Sequence, residues 1–356
     1  MKKLIIAREN VDDSYLPSDL HPVIKQIYAT RNVQNAHELN NSAATLIDFK
    51  LFKDIDKATE LLIDALNAQS RILIVGDFDA DGATSTATLM QGLAMFGFNN
   101  LDYLVPDRFS LGYGLSPALA EQIVDIKPEL VITVDNGISC IAGIDILKKV
   151  GIKVLVTDHH LQGEQLPNAD AIVNPNRHDC RFPSKSIAGV GVAFYLLIAL
   201  RSTLREQGYF ERHAMPNLAD LLDIVALGTV ADVVALDANN RTLVHQGLAR
   251  IRSGKTRPGI TALIEVANRN AARLSASDFG FSLAPRLNAA GRLDDMSLGI
   301  ACLLSTDINQ ARRIASELDS LNHARREIEQ GMQAEAQAVL DRLAFSDDNI
   351  PDAICL

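Results

Sequence analysis

The chain is 356 residues long, 47% hydrophobic, and carries 34 basic against 44 acidic side chains for a net charge of −10. That length and apolar content exclude a disordered chain, exceed one ordinary domain and predict two or more globular units. A pI of about 5.3 argues against a protein that coats nucleic acid by bulk positive charge.

The opening stretch MKKLIIAREN has an apolar run only from Leu4 to Ala7, too short for a signal-peptide core. The longest apolar run, residues 189–200, is too short to span a bilayer and reads as a buried helix. A cytoplasmic protein with no membrane partner is expected. Cys140, Cys180, Cys302 and Cys355 form neither a C-x-x-C pair nor a zinc spacing, which fits free thiols in a reducing compartment. Residues 1–70 read as a helical accessory segment, with helices predicted over 22–30 and 54–68.

From residue 71 to 173 strand and helix signals alternate. Strands are predicted over 72–75, 101–105, 130–134, 153–157 and 171–173, with helices over 82–95, 117–126 and 141–150. The alternation predicts the α/β class with a doubly wound parallel sheet, whose ligands bind beyond the carboxyl ends of the strands.

Those ends carry the chemistry. In RILIVGDFDADGATSTAT the first strand runs into Asp77, Asp79 and Asp81, which would converge if the strand continued. So much negative charge at one point calls for a cation. An EF-hand loop also begins D-x-D-x-D-G, but Thr88 stands where its bidentate glutamate belongs. A haloacid-dehalogenase-type phosphatase uses D-x-D-G, here Asp79 to Gly82, yet Ala83 stands where Thr or Val is usual. The third reading is a hydrolytic two-metal centre, which needs further ligands on neighbouring strands. The third strand ends in Asp135, Asn136 and Gly137, and the fourth in Asp158, His159 and His160. Each aspartate alone could be a helix cap, whereas three strand ends together favour mixed carboxylate and imidazole ligation of Mn²⁺ or Mg²⁺.

Arg108 and Tyr113, in a loop after the second strand, are candidates for a base or phosphate contact, or a surface turn. Gly189 and Gly191 precede an apolar helix, where their amides could hold a phosphate or their lack of side chains permit close packing. Between Arg241 and Arg292 nine basic residues stand against two acidic ones, so the stretch could face a polyanion or form a solvated helical surface. Within it, Arg286, Asn288 and Arg292 occupy a loop-like, small-residue segment suited to phosphate recognition. Residues 308–343 read as one helix of about 50 Å.

GDFDADG, TVDNGIS and TDHH, followed by NPNRHDCRFP, AGVGVAF, ALGTVADVVAL and APRLNAAGRLDD, resemble the ordered motifs of the DHH phosphoesterases, and most nearly a single-strand-specific DNA exonuclease branch. The resemblance implies a Rossmann-like DHH domain joined by a long helix to a DHHA1 domain. Its expected divisions here are a helical segment 1–70, a catalytic domain 71–305 (an α/β core 71–175 and a helical part 176–305), a connecting helix 306–345 and the start of a truncated DHHA1 domain at 346–356. It implies two Mn²⁺ or Mg²⁺ ions held by Asp79, Asp81, Asp135, His159 and Asp232, with Asp135 bridging and Asp77 a further ligand or support. His160 would face the scissile phosphate and Asp158 orient a histidine. Asp232 is preferred to Asp223 because it ends the GTVAD motif. The implied activity is 5′-to-3′ hydrolysis of 5′-phosphorylated single-stranded DNA in recombination and repair, with a single-strand-binding protein or helicase as partner. Alternatives on the same fold are a phosphodiesterase for short oligonucleotides or cyclic dinucleotides, a pyrophosphatase, and a non-catalytic replisome scaffold.

Overall fold

A computed structural model describes residues 11–341 apart from positions 32 and 109. The strands β1 (Ile72–Val75), β2 (Leu101–Leu104), β3 (Leu130–Val134), β4 (Lys153–Thr157) and β5 (Ala171–Val173) form one parallel sheet in the order β2-β1-β3-β4-β5. The expected doubly wound sheet is therefore present. Its order reverses between β1 and β3, and the crevice beyond the carboxyl ends of those two strands is where such sheets bind ligands.

The strands are apolar on both faces because both are covered. Ile72, Ile74, Leu130 and Ile132 pack towards the helices α2 (Ile55–Ala68), α3 (Ala80–Met95) and α6 (Gly189–Glu206). Leu73, Val75, Val131 and Val154 face the other way, against α4 (Pro117–Ile126) and α5 (Ile141–Lys149). The short helix α1 (Pro22–Ala29) closes a small separate cluster with Leu16 and Val33.

A second core is helical. It gathers α7 (Leu222–Ala231), α8 (Ala238–Arg252), α9 (Pro258–Val266), the single turn α10 (Ala276–Asp278), a π-turn (Phe279–Leu283), α11 (Ala284–Leu293), α12 (Ser297–Leu304) and the start of α13 (Ile308–Leu340). Ala80, Ala83 and Ala87 of α3 belong to this core, while Leu89 and Leu93 of the same helix face the sheet side. Helix α3 is thus wedged between the two layers, which its small residues permit.

Three expectations change. Helix α3 begins at Ala80 rather than residue 82, because Asp79 caps it by accepting from the Gly82 amide at 2.9 Å. The segment expected as a loop around Arg286 is the helix α11, begun by Pro285 in its first turn, a position where proline's missing N–H costs nothing. The basic stretch is not a continuous cationic face. Arg241 pairs with Glu38, Arg250 with Asp220, Arg257 with Asp223, Arg269 with Asp278 and Arg286 with Asp319, so acids mostly distant in sequence neutralise five of its nine basic residues. Helix α13 has 33 residues, about 50 Å at 1.5 Å per residue, and the expected start of a further domain at 346–356 lies outside the described residues.

Candidate metal centre

Each acidic group arrives at the switch point by a different local device. Asp77 leaves β1 and accepts from the Phe78 amide at 2.8 Å. Asp79 caps α3, so Asp81 falls in the first helical turn, and a change from strand to helix brings the carboxylates together where a continuing strand was expected to. Asp81 accepts from the amides of Gly189 (2.6 Å) and Val190 (3.0 Å) at the start of α6. Asp135 follows β3 with φ +60°, a left-handed conformation that aspartate tolerates better than most residues, while its amide still extends the ladder to the Thr157 carbonyl at 3.0 Å. Asp232 caps the carboxyl end of α7.

The ligand atoms converge. His159 Nε2 lies 2.9 Å from Asp135 Oδ1, 3.6 Å from Asp232 Oδ2 and 3.9 Å from Asp81 Oδ2. Asp135 Oδ1 and His159 Nε2 are both buried and, despite their approach, neither has an aligned hydrogen-bond partner. Two orphaned lone-pair donors facing a common point fit a cation and fit little else. Three overlapping triads have ligand atoms within 4.8 Å of one another: Asp77, Asp79 and Asp135; Asp81, His159 and Asp232; and Asp135, His159 and His160. Asp135 and His159 each belong to two of them. The oxygen-rich donor set with imidazole suits Mn²⁺ or Mg²⁺.

The electrostatics point the same way. Burial, then the neighbouring Asp79 charge, pushes Asp77 up to about 7 and does the same for Asp232. Burial and the surrounding carboxylates push Asp81 and Asp135 well above the ordinary range. Burial, then the charge of His160, pulls His159 down to about 4, leaving a neutral imidazole ready to ligate.

His160 is set differently. Its Nδ1 lies 2.7 Å from Asp158 Oδ1, and that bond is the largest influence raising it to about 8. Burial of Asp158 opposes its ionisation, but bonds from His160 and from the amides of Ile138 and His160 outweigh it and hold the carboxyl low. Tyr113 closes the other side, its hydroxyl donating to the Asp135 carbonyl at 3.2 Å and lying 3.3 Å from His160 Nε2. Its ring meets Phe78 edge-on, and Arg108 stacks over the Phe78 ring at 4.8 Å.

Most of the other candidate binding residues have structural partners. The Gly189 amide is taken by Asp81, and a Cβ there would meet Asp135 Oδ1 at 2.7 Å. At Gly191 a Cβ would lie 2.5 Å from Ile187 Cγ1, so close packing explains it. Arg286 is buried, donates to the Ser282 carbonyl at 2.6 Å and ties α11 to Asp319 of α13. Asn288 accepts from the Ala80 amide at 2.7 Å and a Cβ on Gly291 would collide with the Phe78 carbonyl, so α11 braces the loop that carries Asp77 and Asp79. Arg292 lines an open groove between α11 and α13 with Arg325 and Met332. Asp223 is held by Arg257, away from the centre. Sequence reasoning missed Asn174 and Asn176, whose side chains donate to the carbonyls of His160 (3.0 Å) and His159 (2.5 Å) and fix the histidine loop. The signal was the N-P-N run just after β5.

Comparison with known proteins agrees with this geometry. Residues 71–229 match the model of the DHH family, N-terminal domain. The chain is 55% identical over 360 residues to the single-stranded-DNA-specific exonuclease RecJ of Escherichia coli, covering 100% of this chain and 62% of that protein. It thus spans about three fifths of the curated relatives it matches. A crystal structure of exonuclease RecJ bound to manganese is similar with a TM-score of 0.72 and 34% identity, over 81% of this chain and 70% of that one. The crystal structure of RecJ in complex with Mn²⁺ from Thermus thermophilus gives 0.73 and 32%, over 86% and 43%. A doubly wound sheet with acidic and imidazole groups at its switch point, this match and these relatives together place the chain in the DHH family.

Proposed function

We propose that this chain is the catalytic part of a metal-dependent exonuclease that hydrolyses phosphodiester bonds of single-stranded DNA from the 5′ end, in recombination and repair. The observation that carries the reading is the cluster at the β1/β3 crevice, built from three strand ends and the end of α7, in which Asp135 groups with Asp77 and Asp79 and also lies 2.9 Å from His159 Nε2, itself grouped with Asp81 and Asp232. Asp77, Asp79, Asp135, Asp81, His159 and Asp232 would hold two Mn²⁺ or Mg²⁺ ions, which supply activation of a water and neutralisation of the leaving oxygen. The protein's own share is positional. Two amides of α6 fix Asp81, the left-handed turn at Asp135 aims its carboxylate inward, and neutral His159 offers Nε2. His160, steadied by Asp158 at Nδ1, presents Nε2 beside the Tyr113 hydroxyl, where a donor would stabilise charge developing on phosphate. A single-strand-binding protein or a helicase is the class of partner that delivers such a strand, and a cytoplasmic location follows from that substrate.

The competing phosphatase reading requires Asp79 to attack phosphorus and gives no role to the buried, unpartnered Asp135 Oδ1 and His159 Nε2. The calcium-loop reading requires a loop where α3 runs. A time course on 5′- and 3′-labelled single and double strands, with and without Mn²⁺, tests the proposal. The expected result is release of labelled mononucleotide first from the 5′-labelled single strand, only with metal. Equal attack on blunt duplex, or release first from the 3′ label, would overturn it.

A further inference from the structure

Among the described residues, the large hydrophobic side chains most exposed to solvent are Val233 at 86%, Leu161 at 80% and Phe281 at 80%. Two of the three adjoin residues of the candidate centre in the chain, and the third rides on a turn near α7. Leu161 follows His160 and Val233 follows Asp232. Phe281 rides on the π-turn, where a Cβ built on Gly280 would lie 3.6 Å from Cγ1 of Val230, two residues before Asp232.

Two of the three stand on unusual backbone. Val233 has φ +59°, a region that β-branched residues avoid, and Phe281 sits in a π-helical turn, a form found mainly at functional sites. The turn is braced, since Arg269 Nε donates to Ser282 Oγ at 3.0 Å and pairs with Asp278 at 3.3 Å. Strained backbone that shows apolar side chains to water beside a reactive centre implies something that covers them in use.

We propose that Phe281, Val233 and Leu161 form an apolar rim that grips the nucleobases on either side of the phosphodiester held at the metal centre, and that this rim sets the preference for single strands. The inference rests on the exonuclease reading. Nucleobases are the occupant because Leu161 and Val233 directly follow His160 and Asp232, residues that would hold the phosphodiester, so the flanking nucleosides would fall beside them. In a duplex the base faces are stacked away, and only a single strand can offer them to Phe281 for stacking.

The test compares a 5′-phosphorylated oligothymidine with the same strand carrying base-free tetrahydrofuran units at its 5′ end, in wild type, Phe281→Ala and Phe281→Trp with Mn²⁺. Wild type and Phe281→Trp are expected to favour the base-bearing strand in kcat/KM by about tenfold or more, and Phe281→Ala to lose most of that ratio through KM. An unchanged ratio in Phe281→Ala, or an equal loss on both strands, would overturn the rim and assign the surface to another polypeptide segment. If the wild type hydrolyses bis(p-nitrophenyl) phosphate but neither strand, the exonuclease reading itself falls, and the rim with it.

Discussion

Asp135 concentrates the conflict that the centre is built on. Its side chain is buried, its conformation is left-handed, and carboxylates on three sides oppose its ionisation. Without cations such a group costs stability, so function and stability should separate there. Asp135→Asn keeps the shape and the tolerance for positive φ while removing the charge. It is expected to abolish metal-dependent hydrolysis and to raise the melting temperature of the metal-free protein by about 2 °C, checked by calorimetry in chelator. The candidate ligands Asp77, Asp135 and His159 were legible in the sequence because each closely follows an apolar strand run, and Asp232 because it ends an apolar helix. The roles of Arg286, Asn288 and Gly189 were not, since their partners Asp319, Ala80 and Asp81 lie far away in the chain and no local pattern announces them.

Among the elements, α6 and α11 act as braces on the metal loops. The five strands were legible almost to the residue, because a buried parallel strand is a continuous apolar run between turn signals. The start of α3 was misplaced by two residues because the capping role of Asp79 was not recognised. Gly189→Ala tests the brace at α6. The added methyl would press on Asp135 Cβ and Oδ1, both 2.7 Å away. A stability loss of about 1–3 kcal/mol and a fall in Mn²⁺ affinity of about 10- to 100-fold are expected, measured by denaturant titration and by metal titration. Stability lost with metal affinity intact would show that the glycine serves packing alone.

Across the whole molecule, ion pairs hold distant segments together where sequence suggested a free basic face. Arg177 is one such tie, donating to Asp54 ahead of α2 at 2.6 Å and to the Ile172 carbonyl of β5 at 2.8 Å. Burial of Asp54 opposes its charge, but the bond and charge of Arg177, helped by Lys57, hold its carboxyl below the ordinary value. Arg177→Met leaves that carboxylate with only Lys57, 3.3 Å away, and is expected to cost about 3 kcal/mol. A lowered folded-state value gives stability that is complete above the unfolded carboxyl value and fades as pH falls through the folded one. The gap between wild type and variant should therefore hold from about pH 5 to about pH 8 and close only below about pH 4, read by melting temperature against pH. The second core was legible only as a run of helices, because which arginine meets which acid is decided by tertiary packing.

The central claim is that two cations share Asp135. Equilibrium Mn²⁺ titration of the wild type and of Asp135→Asn tests it most directly. Two ions per chain are expected in the wild type, with loss of tight binding at both positions in the variant, because Asp135 groups with Asp77 and Asp79 and its Oδ1 also lies 2.9 Å from His159 Nε2 of the other group. A single ion in the wild type, or two ions still tightly bound after Asp135→Asn, would contradict it.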